Sequence, residues 1–149
     1  MTVKPGRLWL TRALAIAAVI ACLAGLATWR YWPWRQKYAV PLPPPDAPAA
    51  QVVVAYLHAL DARDKATAEA LSAPRERSTT ALWLHNTASI TGIKIDSVQP
   101  GVPYSVCTDF QYASHWWTQD ISFPDGEHYW CYDLARLNGR WLIADDGLG

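Results

Sequence analysis

The sequence predicts an α+β protein: an N-terminal transmembrane helix, then a long helix, a short helix and a curved antiparallel sheet of about four strands. Three observations predict it. Residues 13–29 form an uncharged apolar run. Apolar residues then recur at three- and four-residue steps as far as Leu71. From Ser89 onward the period falls to two, with turn dipeptides between the runs.

The apolar run is bracketed by Arg12 and Arg30. At about 1.5 Å rise per residue it makes roughly 26 Å of helix, close to the hydrocarbon thickness of a bilayer. Trp9 precedes it, and Trp29, Tyr31, Trp32 and Trp34 follow, in the manner of an interfacial aromatic belt. Residues 13–34 are therefore expected to cross a lipid bilayer once, behind a basic N-terminus at 1–12. Cys22, preceded by Val19, Ile20 and Ala21 and with Lys4 and Arg7 upstream, also fits a loose lipidation box. Residues 23–27 stay apolar where a cleaved signal turns polar, so an uncleaved anchor and a lipidated Cys22 both stand. Three basic side chains lie on each side of the run, and only the N-terminal amine tips the count. It favours a cytoplasmic N-terminus and a domain exported from the cell membrane.

Charge is divided unevenly. All 13 Asp and Glu residues lie from Asp46 onward, while Lys4, Arg7, Arg12, Arg30, Arg35 and Lys37 precede it. Residues 46–149 thus carry seven basic groups against 13 acidic ones, an excess of six negative charges. Such a domain repels a phosphate backbone, so no nucleic acid partner is expected.

Residues 35–47 read as a linker, since Val40-Pro41-Leu42-Pro43-Pro44-Pro45 favours an extended polyproline II spacer. Asp46 occupies a helix N-cap position with Pro48 in the first turn. Val53, Tyr56, Leu57, Leu60, Ala68 and Leu71 form one apolar stripe of a helix over 49–71, interrupted by the charged Asp61, Arg63, Asp64 and Lys65 and stopped by Pro74. A short helix over 79–86 is expected to turn Ala81, Leu82 and Leu84 inward. Residues 89–98 read as a strand with a bulge at Gly92. Pro100-Gly101 turns the chain into a strand over 104–116, whose even positions are aromatic and apolar and whose odd positions are mostly polar. Pro124-Asp125-Gly126 leads to a third strand over 128–137. Asn138-Gly139 then predicts a type I′ hairpin, pairing Leu137 with Arg140, Leu134 with Ile143 and Tyr132 with Asp145.

The run Val54-Ala55-Tyr56-Leu57-His58-Ala59-Leu60-Asp61-Ala62-Arg63-Asp64, with the closing Gly139-Arg140-Trp141-Leu142-Ile143-Ala144-Asp145, resembles the nuclear transport factor 2-like superfamily. The resemblance covers residues 48–149 and points to membrane-tethered bacterial members without an assigned role. It implies a cone-shaped α+β fold that hosts enzymes, pocket binders and assembly modules alike.

Candidate site residues are few. By strand parity Tyr112, Trp130, Tyr132 and Asp145 project on the apolar face, where a buried carboxylate would serve as a base. No complete catalytic set accompanies them, so an enzyme is the less favoured class. Cys107 and Cys131 share the polar face, as a disulfide requires, although two separate small side chains would also satisfy the pattern. His58, His85, His115 and His128 lack metal-ligand spacing, and no cofactor or metal is expected. The favoured reading is a membrane-anchored, non-catalytic interaction or assembly module whose partner is another membrane or envelope protein. The alternative is a small-molecule binder or enzyme using an aromatic pocket with Asp145.

Overall fold

The computed structural model describes residues 6–30, 35–118 and 123–147. The chain forms two compact units, Met1–Pro33 and Trp34–Gly149. The first contains α1 (Gly6–Arg30), whose described side chains, at 15–28, are all exposed, Ile16, Val19, Ile20, Leu23 and Leu26 among them. Cys22 is an exposed free thiol on this helix. Among the described residues no helix is long and apolar enough to cross a membrane. That corrects the expected transmembrane helix over 13–34, and with it the single-pass membrane location and the exported domain. Seven of the residues in 13–29 are alanine, each with less apolar area to bury than a leucine or isoleucine. Of the expected aromatic belt, Tyr31, Trp32 and Trp34 and the side chains of Trp9 and Trp29 lie outside the described residues.

The second unit runs α2 (Ala49–Ala62), α3 (Lys65–Ala70), a 3-10 turn (Pro74–Glu76) and α4 (Arg77–Asn86), then β1 (Thr87–Gln99), β2 (Tyr104–Ser114), β3 (Gly126–Leu137) and β4 (Arg140–Gly147). The four strands form one antiparallel sheet in sequence order. This is the α+β layout of helices followed by a meander, without the transmembrane element. Val52, Val53, Tyr56, Leu57 and Leu60 bury the inner stripe of α2, and it packs chiefly on β1. Ile90, Val106, Phe110, Tyr112, Tyr132, Leu134 and Ile143 supply the facing core.

The helix expected over 49–71 is broken in two. Arg63 takes a left-handed conformation at φ 56° as the residue after α2. Its N–H donates to Leu60 O at 3.1 Å and that of Asp64 to Ala59 O at 2.8 Å, which is the Schellman arrangement that satisfies final-turn carbonyls. Asp64 then caps α3, accepting from Thr67 N, and its other oxygen accepts from Val40 N at 2.9 Å. Through these bonds the proline-rich segment lies along the domain. Val40, Pro43 and Ala47 are buried, and Arg140 Nη1 donates to Pro43 O at 2.8 Å. No side chain caps α2, and Pro48 stands at its N-cap where Asp46 was expected.

The short helix begins at Arg77. It leaves Ala81 and Leu82 exposed and turns Thr80 and, partly, Trp83 and Leu84 inward. The expected inward positions Ala81 and Leu82 are corrected accordingly. Gly92 has φ +66° at a register shift in β1, and Asn138 and Gly139 have φ of 53° and 80°, as a type I′ turn needs.

Candidate functional site

The sheet separates two sets of side chains. On its inner face, half-buried Trp83 from α4 meets Tyr112, Phe123 and Trp130 edge-on, with ring centroids 5.8, 5.0 and 6.2 Å away. Phe123 stacks on His128 at 3.9 Å. Beneath them Tyr132 is fully buried, edge-on to Tyr56 at 5.9 Å, and its hydroxyl has no hydrogen-bond partner among the described residues. Tyr56 Oη lies 3.1 Å from Thr80 Oγ1, which lies 2.7 Å from Ser72 Oγ. Burial pushes both tyrosine hydroxyls well above their ordinary pKa.

The carboxylate under this aromatic group is Asp146. Its Oδ2 accepts from Trp83 Nε1 at 2.8 Å and from Trp130 Nε1 at 3.2 Å. Burial raises its pKa, the two indole bonds lower it and neighbouring Asp145 raises it, with a net upward shift. The sequence register placed Asp145 here. Leu137–Arg140 and Leu134–Ile143 pair as expected, but the ladder then shifts by one, so that Asp133 faces Asp145 and Tyr132 faces Asp146. The extra residue is Ala144. It follows Ile143, whose N–H and C=O are taken on the open edge by Leu71 O and Ala73 N at 2.8 and 2.7 Å. One inserted residue exchanges the faces of everything beyond it, and that corrects the expected place of Asp145.

The outer face carries the displaced Asp145. Reading across the ladder, Gln99 of β1, Ser105 of β2, Asp133 of β3 and Asp145 of β4 stand in one row. Ser105 Oγ donates to Asp133 Oδ1. The next row holds Cys107 and Cys131, directly paired across β2 and β3 with Cα atoms 4.0 Å apart and joined by a disulfide. With exposed Tyr129 these residues line an open cleft of about 470 Å³. Of the sequence candidates, the structure therefore unites Cys107, Cys131 and Asp145 on the outer face and Tyr112, Trp130 and Tyr132 on the inner one. Cys22 lies in the other unit.

No family model matches this chain, and no curated protein matches it. Among solved structures it is similar to a SEC-C motif containing protein from Rhodopseudomonas palustris, at 12% identity and a TM-score of 0.44, over 68% of this chain and 80% of that one. The expected membership of the nuclear transport factor 2-like superfamily is corrected by this outcome. The helix pattern and terminal hairpin that carried it occur wherever a helix packs on an antiparallel meander.

Sequence reasoning passed over two of the groups that organise the inner face. Asp146 was hidden by the bulge at Ala144. Trp83 offered a weak signal, an indole in a helix otherwise poor in large inward residues. Among the described residues no group of three or more His, Cys, Asp or Glu is arranged to hold a metal ion. Chemically, the inner carboxylate is occupied by two indole donors. The outer pair lines an open cleft, with one oxygen of Asp133 taken by Ser105 Oγ and one of Asp145 by Asp146 N at 3.0 Å.

Proposed function

We propose that residues 34–149 act as a non-catalytic protein-interaction module whose outer sheet face receives a lysine- or arginine-bearing segment of a partner protein. One observation carries the reading: Asp133 and Asp145 stand directly opposite each other on neighbouring strands beside the 470 Å³ cleft. Like charges in that position cost stability, and a cation laid between them relieves the cost. Support comes from the excess of acidic over basic groups in residues 46–149, which steers a basic segment toward the domain. Exposed Tyr129 offers an aromatic anchor at the cleft. The disulfide holds two of the lining strands in fixed register, so little ordering is needed on binding.

The test is fluorescence polarisation with a labelled Lys/Arg-rich peptide and the whole protein. Binding should weaken with salt, and Asp133→Asn with Asp145→Asn should reduce affinity by at least about tenfold, as loss of charged contacts worth about 1.4 kcal/mol requires. A control substitution of Glu69, on α3, should leave it unchanged. Equal binding by the wild type and the double variant would exclude the outer face as the docking surface.

A further inference from the structure

A second polar cluster lies at the turn between α2 and α3. Arg63 follows α2 in a left-handed conformation usually given to glycine, which directs a long cationic side chain into partly buried surroundings. Its Nη2 donates to Ala88 O at 3.4 Å and to His115 Nε2 at 3.2 Å. A guanidinium only donates, so His115 Nε2 accepts and the ring hydrogen sits on Nδ1. Arg63 Nε is shielded from solvent and has no hydrogen-bond partner among the described residues.

Nor does Arg63 have an acid within ion-pair distance among the described residues. The nearby acids are engaged elsewhere. Asp61 accepts from Lys37 Nζ at 2.9 Å, Tyr38 Oη at 2.8 Å and Ile90 N at 3.1 Å, and Glu69 pairs with Lys65 at 3.6 Å. Arg63, Lys65 and His85 line a pocket of about 230 Å³ whose remaining walls are the apolar Ala81 and Leu84. His115, bonded to Arg63, is held below its usual pKa by burial first, then by the charges of Arg63, Lys37 and His85.

We propose that this pocket binds a small organic acid, its carboxylate or phosphate group on the Arg63 guanidinium and its short apolar stem between Ala81 and Leu84. Among the described residues Arg63 feels Asp61 as a neighbouring charge but makes no direct ion pair, and its buried Nε is unbonded. An oxyanion on its fork supplies both a partner charge and acceptors. The volume holds a head group with a stem of a few carbons, and an extended polymer would not fit. Lys65, bridged to Glu69, and the His85 imidazole line the same pocket and offer polar contacts to a phosphate head as well as to a carboxylate. This site is independent of the outer sheet face, and either assignment can fail without the other.

The test is NMR titration of the whole protein at constant pH and ionic strength, following the imidazole signals of His85 and His115. The probes are acetate, butyrate and inorganic phosphate. Saturable shifts are expected at both histidines with butyrate and with phosphate, and butyrate should bind more tightly than acetate because its stem finds Ala81 and Leu84. Arg63→Gln should weaken binding by at least about tenfold, the loss of one charged contact. Ala81→Leu, at an exposed helical position, should block the pocket with the charges intact. Non-saturating shifts, equal affinity for acetate and butyrate, or wild-type binding by Ala81→Leu would each overturn the assignment.

Discussion

Trp83 Nε1 donates to Asp146 Oδ2 at 2.8 Å, tying α4 to the end of the last strand across 63 positions of sequence. Trp130 Nε1 reaches the same oxygen at 3.2 Å, so one carboxylate fixes two large aromatic side chains. Hydrogen bonds to a charged group contribute about 1.5–3 kcal/mol. Asp146→Ala is therefore expected to lower unfolding free energy by about 2 kcal/mol, read from urea denaturation at neutral pH. Asp146→Asn keeps an acceptor oxygen and should cost less than half as much. Equal losses in the two variants would mean that the indole bonds contribute little.

The same aspartate marks where the sequence stopped being legible. Alternation in β2 and β3 identified Tyr112, Trp130, Tyr132 and Leu134 as one face and Cys107 and Cys131 as the other, because side-chain direction in a strand follows position parity. Asn138-Gly139 set the hairpin because both residues tolerate positive φ. The bulge at Ala144 left no local mark: it answers to Ile143 hydrogen-bonding Leu71 and Ala73, contacts some 70 residues away in sequence. The break at Arg63 was obscured for a related reason. A left-handed residue after a helix is usually glycine, and here an arginine is held by its hydrogen bonds to Ala88 O and His115.

The Cys107–Cys131 bond closes a loop of sequence separation 24. Restricting an unfolded chain over such a loop contributes about 3 kcal/mol. Cys107→Ser with Cys131→Ser should lower stability by about that amount, and a reducing agent should lower the melting temperature of the wild type to that of the variant. Peptide mapping without reduction should recover the two cysteines in one linked fragment. A wild-type melting temperature unaffected by reductant would show that the bond adds nothing to stability.

Stability should fall as pH drops from neutral, and His115 supplies a sign that can be checked. Burial, then the charges of Arg63, Lys37 and His85, lower its pKa below the ordinary 6.5. Below about that pH the unfolded chain takes up a proton that the folded protein resists. The contribution is complete above 6.5 and is lost as pH falls through the folded-state value, at no more than about 1.4 kcal/mol per pH unit for one proton. Asp146 acts in the opposite sense, since its raised pKa favours the folded state as pH falls through its range. Asp61 and Asp64, whose pKa values are lowered, add a further loss only below about 3.8. His115→Gln should flatten the upper part of the profile in urea denaturation between neutral and mildly acidic pH. A profile in the variant as steep as in the wild type would assign the proton uptake elsewhere.

Tyr132 and Tyr56 stand edge-on in the core with ring centroids 5.9 Å apart, yet their hydroxyls differ in what they meet. Tyr56 Oη has Thr80 Oγ1 at 3.1 Å, whereas Tyr132 Oη is buried without a partner among the described residues. Burying an unsatisfied hydroxyl costs about 1–3 kcal/mol, and a satisfied one contributes about 1 kcal/mol. Tyr132→Phe keeps the ring and removes only the orphaned oxygen. It should raise stability by about 1 kcal/mol, a gain of roughly 4 °C in melting temperature for a domain of this size. Tyr56→Phe should lower stability by a similar amount, because it strips Thr80 of one of its two hydroxyl neighbours. The opposite signs of two chemically identical substitutions are the decisive reading in thermal unfolding. Were Tyr132→Phe to destabilise as much as Tyr56→Phe, the Tyr132 hydroxyl would have to hold a bonded group in the folded protein.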